Sequence, residues 1–280
     1  MERCITEGLI EAFIERLRAE ERSAGTIEKY RRDVTEFAMW LGGRAVDREQ
    51  TASWRESLLR EGRRPGTVNG KLTALCAFFR FMDWEECKVH FLKLQRQLFR
   101  DDSRELTRGE YERLLKTAHE QGKQRLALLI ETICATGIRV SEVRYITLEA
   151  VRRGRAEISL KGKRRVILLP GKLCRKLQKY AKKQKIASGE IFITRNGRGI
   201  SRKQIWAEMK TLCNDANVAP TKVFPHNLRH LFARCFYQAS HDVASLADVL
   251  GHSSIETTRI YLISTGTEHA KQLERLGLVV

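Results

Sequence analysis

A mainly α fold in two parts is expected from three features of this chain. Apolar residues recur at helical spacing through the first hundred positions, a charged stretch then interrupts that rhythm, and one hairpin-like run sits inside an otherwise helical remainder. The expected architecture is an amino-terminal four-helix bundle over residues 1–84, a linker over 85–104, and a mostly helical second domain over 105–280 with a small antiparallel β-sheet. At 280 residues the chain exceeds the usual size of one compact unit, which favours two domains. Hydrophobic residues make up 42%, enough for a core in each.

The elements follow in order. "ITEGLIEAFIERLRAE" puts Leu9, Phe13 and Leu17 on one helical face. Thr26 opens "TIEKYRRDVTEFAMWLG", where Tyr30, Val34, Phe37 and Trp40 repeat at helical spacing until Gly42 stops the helix. A third helix is expected over 48–60, and "RRPGTVNGKLTALCAFFRFM" supplies a turn and a fourth helix with Val68, Leu72, Leu75 and Phe79 inward. From Asp83 to Arg104 the apolar rhythm weakens and charges crowd together, as in "FRDDSRE", which suits a linker.

Order resumes at Thr107, which with Glu110 forms a capping-box pattern opening "TRGEYERLLKTAHEQ". "RLALLIETICATG" is an apolar helix closed by Gly137, and Ser141 is placed to cap another. "AEISL" and "RRVILL" flank "KGK" as a hairpin, and "IFIT" before Asn196-Gly197 is expected to add a strand. Ser201 with Gln204 caps "RKQIWAEMKTLCNDA"; "HNLRHLFARCFYQA" and "DVASLADVL" follow as helices. Gly251 suits the left-handed position past a helix end. Ser253 with Glu256 then reads as a capping box, with Tyr261 two turns into the last helix.

Charge narrows the partner. Lys plus Arg number 52 against 34 Asp plus Glu, a net +18, which points to a polyanion. Nucleic acid leads, because neutralising phosphates releases condensed counterions with each basic contact. An anionic membrane loses ground: no stretch approaches the roughly 20 apolar residues of a spanning helix. The opening "MERCITEGLIEAFIERL" carries acids among its apolar positions, unlike a signal peptide, so a cytoplasmic protein is expected. The seven cysteines include no CxxC pair and read as reduced, mostly buried thiols.

Several residues have chemical potential, though each alone fits an ordinary structural role. His226 and Arg229 are three apart on one helix face and His230 lies one turn from His226, a spacing that a solvated surface pair also shows. Arg139 follows "CATGI" at a helix end, as a solvent-facing stop residue or as a fork aimed at two phosphate oxygens, with Glu142 holding the turn or pairing with a base. Lys161 sits at the hairpin tip beside Gly162, Lys163, Arg164 and Arg165, as a nonspecific phosphate contact or as a proton donor. Tyr261 reads as core or as a nucleophile. With a phenol pKa near 10, nucleophilic attack demands a proton acceptor and surrounding cationic charge, which His226, His252, Arg139 and Arg229 supply.

Four separated segments, "ATGIRVSEV", the "KG" hairpin, "PHNLRHLFA" and "LGHSSIETTRIYL", occur in the order and approximate spacing of the tyrosine recombinases, or phage integrases, and the short length is most similar to the Xer type. "SAGTIEKYRRDVTEF" resembles that family's core-binding domain, so the resemblance spans nearly the whole chain. It implies a C-shaped clamp on duplex DNA, with a core-binding bundle on one side and a catalytic domain on the other. It also implies that Tyr261 attacks the scissile phosphate to form a 3′-phosphotyrosyl ester, conserving the bond so that religation through a Holliday junction needs no ATP. Arg139 and Arg229 would stabilise the nonbridging oxygens, His252 would donate a hydrogen bond, His226 would take or relay the tyrosine proton, and Lys161 would protonate the leaving 5′ oxygen.

No metal or other cofactor is expected, since cationic side chains do the work of a metal ion. The hairpin is one residue shorter than the family's common form, which leaves Lys163 as the alternative acid and as a DNA contact. Lys29, Arg32, Asn69 and Lys71, on the second and fourth helices, are candidates for touching bases. The tail after Tyr261, with Leu273, Leu276 and Leu278, packs on its own domain or docks into a neighbour. The family favours docking, which gives a tetramer on two DNA sites, of one chain or with a related recombinase. A bacterial-type, nucleoid-associated protein follows, serving a mobile element, dimer resolution or inversion. A DNA-binding regulator without chemistry and a type IB topoisomerase-like activity are the alternatives. If roughly eight phosphates are neutralised, affinity for duplex DNA falls by roughly a thousandfold or more between 50 and 200 mM salt, measured by fluorescence anisotropy.

Overall fold

Four amphipathic helices account for most of the first of two units into which the chain divides, Met1–Arg96 and Gln97–Val280. The computed structural model describes residues 3–94, 102–160, 163–252, 254–261 and 274–276. In the first unit, α1 (Glu7–Ala19), α2 (Ala24–Leu41) and α3 (Arg48–Arg60) start at Thr6, Ser23 and Asp47, whose side-chain oxygens accept backbone N–H groups of the first turn. α2 therefore begins two residues before Thr26. α4 (Pro65–Phe81) opens on a proline, whose missing N–H costs nothing at a helix start. The inward faces meet in an aromatic core: Phe13 stands edge-on to Phe78 at 5.4 Å, and Phe37 lies 5.0 Å from Trp54.

Two features of this unit add to the sequence reading. The expected linker starts as part of the bundle: a 3₁₀ turn over Glu85–Cys87 buries Cys87, and the Asn69 amide both donates to the Leu92 carbonyl (2.9 Å) and accepts from its N–H (2.8 Å). The second concerns the residues expected at bases. Asp33 is only 1% exposed, and it draws Lys29 to 2.6 Å and Lys71 to 3.6 Å; Lys71 also donates to Glu36 and is itself 8% exposed. Lys29 further donates to the Gly70 carbonyl at 2.7 Å. Asn69, Lys71 and Lys29 thus help to hold α2, α4 and the following segment together. Arg32 stays exposed, 3.6 Å from Asp33.

The second unit begins on α5 (Arg108–Glu120), with the capping box of Thr107 and Glu110 formed on both sides, and α6 (Gln124–Thr136). A 3₁₀ helix over Val140–Tyr145 and α7 (Leu148–Arg153) lead to β1 (Arg155–Leu160) and β2 (Lys163–Leu168), paired antiparallel from Arg155↔Leu168 to Leu160↔Lys163. Then come α8 (Gly171–Lys183), α9 (Arg202–Lys210), α10 (Pro225–Ser240), α11 (Val243–Leu250) and α12 (Ile255–Arg259). The mainly α class with one small antiparallel sheet is as expected.

Local differences have physical causes. "IFIT" adds no strand among the described residues: Ile191 and Phe192 are buried in the core, and only an isolated bridge, Ile193↔Gly199, closes around the Asn196-Gly197 turn. An apolar run bought by core packing looks the same in sequence as one bought by a sheet. Ser141 lies inside the 3₁₀ helix, because the Glu142 carboxylate takes the capping position. α8, unanticipated, buries Leu173, Leu177, Tyr180 and Ala181, while α9 stops six residues short of the expected Ala216. Ser254 caps α12, whereas Ser253 lies outside the described residues; α12 ends at Arg259, so Tyr261 sits just past it. Of the cysteines, Cys87, Cys174 and Cys213 are buried and Cys235 is exposed. Among the described residues no helix is long and apolar enough to cross a membrane.

Removing the buried carboxylate leaves Lys71 to the more exposed Glu36. Asp33→Asn is expected to destabilise the first unit by about 1–3 kcal/mol, read as a shifted urea transition in the fluorescence of Trp40, Trp54 and Trp84.

Candidate active site

Two helices end on left-handed glycines, and one arginine joins their ends. α6 closes at Gly137 and α11 at Gly251, each with φ of +62°. A side chain at Gly137 would overlap the Phe232 ring, and one at Gly251 would overlap Arg165, so both backbone conformation and space require glycine. The last carbonyls of these helices lack intrahelical partners and carry the negative end of the helix dipole. Arg229 of α10 satisfies both: Nη1 donates to the Gly137 carbonyl and Nη2 to that of Leu250 at 2.8 Å. The residue is 1% exposed. Burial lowers its pKa, with the Tyr261 hydroxyl, hydrogen-bonded to the guanidinium, acting in the opposite direction.

His252 follows Gly251 directly and is oriented by the same arginine. Its Nε2 lies 2.9 Å from Arg229 Nη2 and its Nδ1 2.9 Å from Thr258 Oγ1. A guanidinium only donates, so Nε2 accepts and the proton sits on Nδ1, given to Thr258: the imidazole is neutral. Burial, then the charges of Arg229, Arg139 and Arg165, push its pKa down to about 4. Burial, with Arg229 and Arg139, also lowers that of His226.

Tyr261, 5% exposed, is enclosed by three imidazoles, with ring centroids 4.5 Å from His230, 5.6 Å from His252 and 5.9 Å from His226. Arg139 precedes the 3₁₀ helix and is the more open cation. Its backbone N–H donates to Glu142 Oε2 at 3.0 Å and its Nη1 to Oε1 at 3.1 Å. That buried carboxylate is shared with Arg165 of β2 at 3.6 Å. Arg165 also donates to the Leu250 carbonyl, and burial pulls its pKa down to about 10.

Five of the six residues expected to carry chemistry, Arg139, His226, Arg229, His252 and Tyr261, therefore fall in one cluster of the second unit. Lys161 lies outside the described residues; Lys163 is placed by its backbone at the start of β2. The sequence reading did not single out Arg165 from the basic hairpin tip or Thr258 at all. No sequence pattern marks Arg165, because the apolar run Val166-Ile167-Leu168 after it hides which face is exposed, although Val166 and Leu168 prove to be exposed. The assembled groups offer a phenol beside neutral imidazoles and guanidinium forks, a set suited to a phosphodiester.

The neutral histidines make folding pH-dependent. An unfolded imidazole near 6.5 binds a proton that folded His252 refuses down to about pH 4. Stability is therefore full above pH 6.5 and declines as pH falls from 6.5 towards 4. In a ¹⁵N-imidazole NMR titration, His252 should remain the Nδ1–H tautomer at pH 6 and titrate near pH 4.

Comparison with known proteins gives the family of the chain. The model of the Phage integrase family matches residues 104–268, and that of the Phage integrase, N-terminal SAM-like domain matches residues 10–86. Tyrosine recombinase XerD of Brucella melitensis biotype 1 is 30% identical over 281 residues, covering 90% of this chain and 91% of that protein. In fold, the XerH site-specific recombinase bound to its difH substrate in a pre-cleavage complex superposes with a TM-score of 0.70 at 20% identity, over 95% of this chain and 84% of that one. The Tn1549 transposon integrase in complex with transposon right end DNA gives a TM-score of 0.72 at 17% identity, over 96% and 99%. With a family match across more than half its length and an Xer relative at 30% identity over nearly all of it, the chain belongs to the phage integrase family and is a tyrosine recombinase.

Proposed function

We propose that this chain cuts and rejoins duplex DNA at specific sites with Tyr261 as nucleophile. The observation that carries the reading is the surround of Tyr261: a buried phenol within reach of Arg229 and packed against imidazoles that burial keeps neutral. The phenolic oxygen attacks the scissile phosphorus, the bond to the 5′ oxygen breaks, and a 3′-phosphotyrosyl ester results. His226, held neutral, accepts the phenolic proton; Lys161, or Lys163 in its place, protonates the departing 5′ oxygen. Arg139 and Arg229 meet the charge that builds on the nonbridging oxygens, a preorganised electrostatic task.

His252 fits a slightly different part from the one expected. Both of its nitrogens are engaged, so its task without DNA is to hold Arg229, and donation to a phosphate requires that contact to open when DNA binds. We assign residues 1–84 to DNA binding, 105–280 to catalysis, and the join to the segment between them. Four protomers on two DNA sites, coupled through the tail after Tyr261, complete the reaction in the cytoplasm. The relatives divide between Xer recombinases and a transposon integrase, so dimer resolution and element transfer both suit the chemistry.

Trapping on a library of nicked suicide duplexes tests the reading. Wild type should form a covalent adduct that peptide mass spectrometry maps to Tyr261. Tyr261→Phe should bind the same DNA and form none, and Arg229→Lys, unable to bridge both carbonyls, should slow cleavage about 10²–10³-fold. An adduct on any other residue overturns the assignment. Site-independent relaxation of supercoiled plasmid would favour a topoisomerase.

A further inference from the structure

One of the three imidazoles around Tyr261 has no part in the chemistry above, yet it is the nearest. His230 stands T-shaped to the phenol with centroids 4.5 Å apart and packs on His226 at 4.6 Å. Its Nδ1 lies 3.7 Å from the carboxylate of Glu105, a residue only 7% exposed. Glu105 is supplied by the segment through which the chain enters the second unit, and that segment is fastened along α10. Asn227 Nδ2 donates to the Arg104 carbonyl at 2.8 Å, Arg234 Nη2 donates to the Leu106 carbonyl at 2.5 Å, and Leu106 is fully buried. Arg234 also lies 3.4 Å from the Glu105 carboxylate. One helix face, at 226, 230 and 234, thus carries in succession the proposed proton acceptor, the ring against the nucleophile, and the cation that anchors Glu105.

We infer that Glu105 and His230 form a positioning pair for Tyr261: the carboxylate fixes the imidazole, and the imidazole fixes the phenol ring against which the phosphate must align. A carboxylate 3.7 Å from Nδ1 favours positive charge, or the N–H of a neutral ring, on that side and so biases how the imidazole sits. A T-shaped neighbour restricts the tilt of the phenol, and a displacement of about 1 Å at a reacting group costs about 10²-fold in rate. The pair ties the nucleophile to the path of residues 104–106, so a shift of that segment moves the tyrosine. This inference rests on Tyr261 being the nucleophile.

The test uses the full chain labelled with ¹³Cζ-tyrosine, in which Tyr261→Phe identifies the Tyr261 resonance among the six tyrosines. Glu105→Ala and His230→Ala are expected to shift or broaden that resonance without DNA. On the trapped duplexes they should slow adduct formation at saturating DNA by tenfold or more, with Kd changed less than twofold. His230→Phe, which keeps a ring against the phenol, should recover most of the rate. Should Glu105→Ala fail to fold by circular dichroism, Glu105→Gln replaces it under the same criteria. An unmoved Tyr261 resonance, or a changed Kd with an unchanged saturated rate, overturns the pair. Absence of any adduct from wild type would instead remove the recombinase chemistry, while the resonance shift still decides whether the pair positions Tyr261.

Discussion

The guanidinium of Arg229 is the interaction on which the second unit's site depends. It lies buried between the carbonyl ends of α6 and α11, and both acceptors belong to helix termini whose dipoles favour a cation. That arrangement compensates a charge that would otherwise be prohibitive to desolvate. It also dictates neighbouring positions. The left-handed ends are held to glycine by the Phe232 ring against Gly137 and the Arg165 side chain against Gly251, and the residue after the second glycine, His252, is delivered to the same guanidinium.

The protonation pattern of the site follows from burial and from the cations gathered there. Burial, then positive charge at Arg229 and Arg139, disfavours a further proton on both His252 and His226, and Arg165 adds to the effect on His252. Glu142 offsets part of that charge by engaging both Arg139 and Arg165, which links the 3₁₀ helix to the hairpin. Arg165 in turn donates to the same Leu250 carbonyl as Arg229, so the strand next to the hairpin lysines shares an anchor with the buried arginine. A bare pocket of this kind is preorganised for an anion: its cations converge and its bases remain free of protons.

The first unit solves a different problem with the same physics. Its core is aromatic and apolar, and a buried carboxylate, Asp33, gathers Lys29 and Lys71 across α2 and α4. In a chain of net charge +18, some lysines are structural, and burial rather than charge separates them from those left to meet a polyanion. Asn69 shows the same distinction for a neutral side chain, since its amide is spent on the Leu92 backbone.

Helical class, caps and the family motifs are legible in the sequence because they are local. Apolar spacing marks α1 to α6, α10 and α11; a left-handed glycine marks the ends at 42, 137 and 251; and the segments around Arg139, His226, Arg229, His252 and Tyr261 carry a family pattern. What local pattern does not encode is which polar group is buried against which. Lys71 and Arg32 are both basic residues on helices, and only packing makes one a core contact and leaves the other in water. Arg165 and Glu105 became partners of the site because the hairpin and the entering segment fold back across distances in sequence that no periodicity spans. Desolvation and hydrogen-bond completion are properties of the assembled interior, and so the tertiary structure alone decided the tautomer of His252, the enclosure of Tyr261 and the tasks of these two residues.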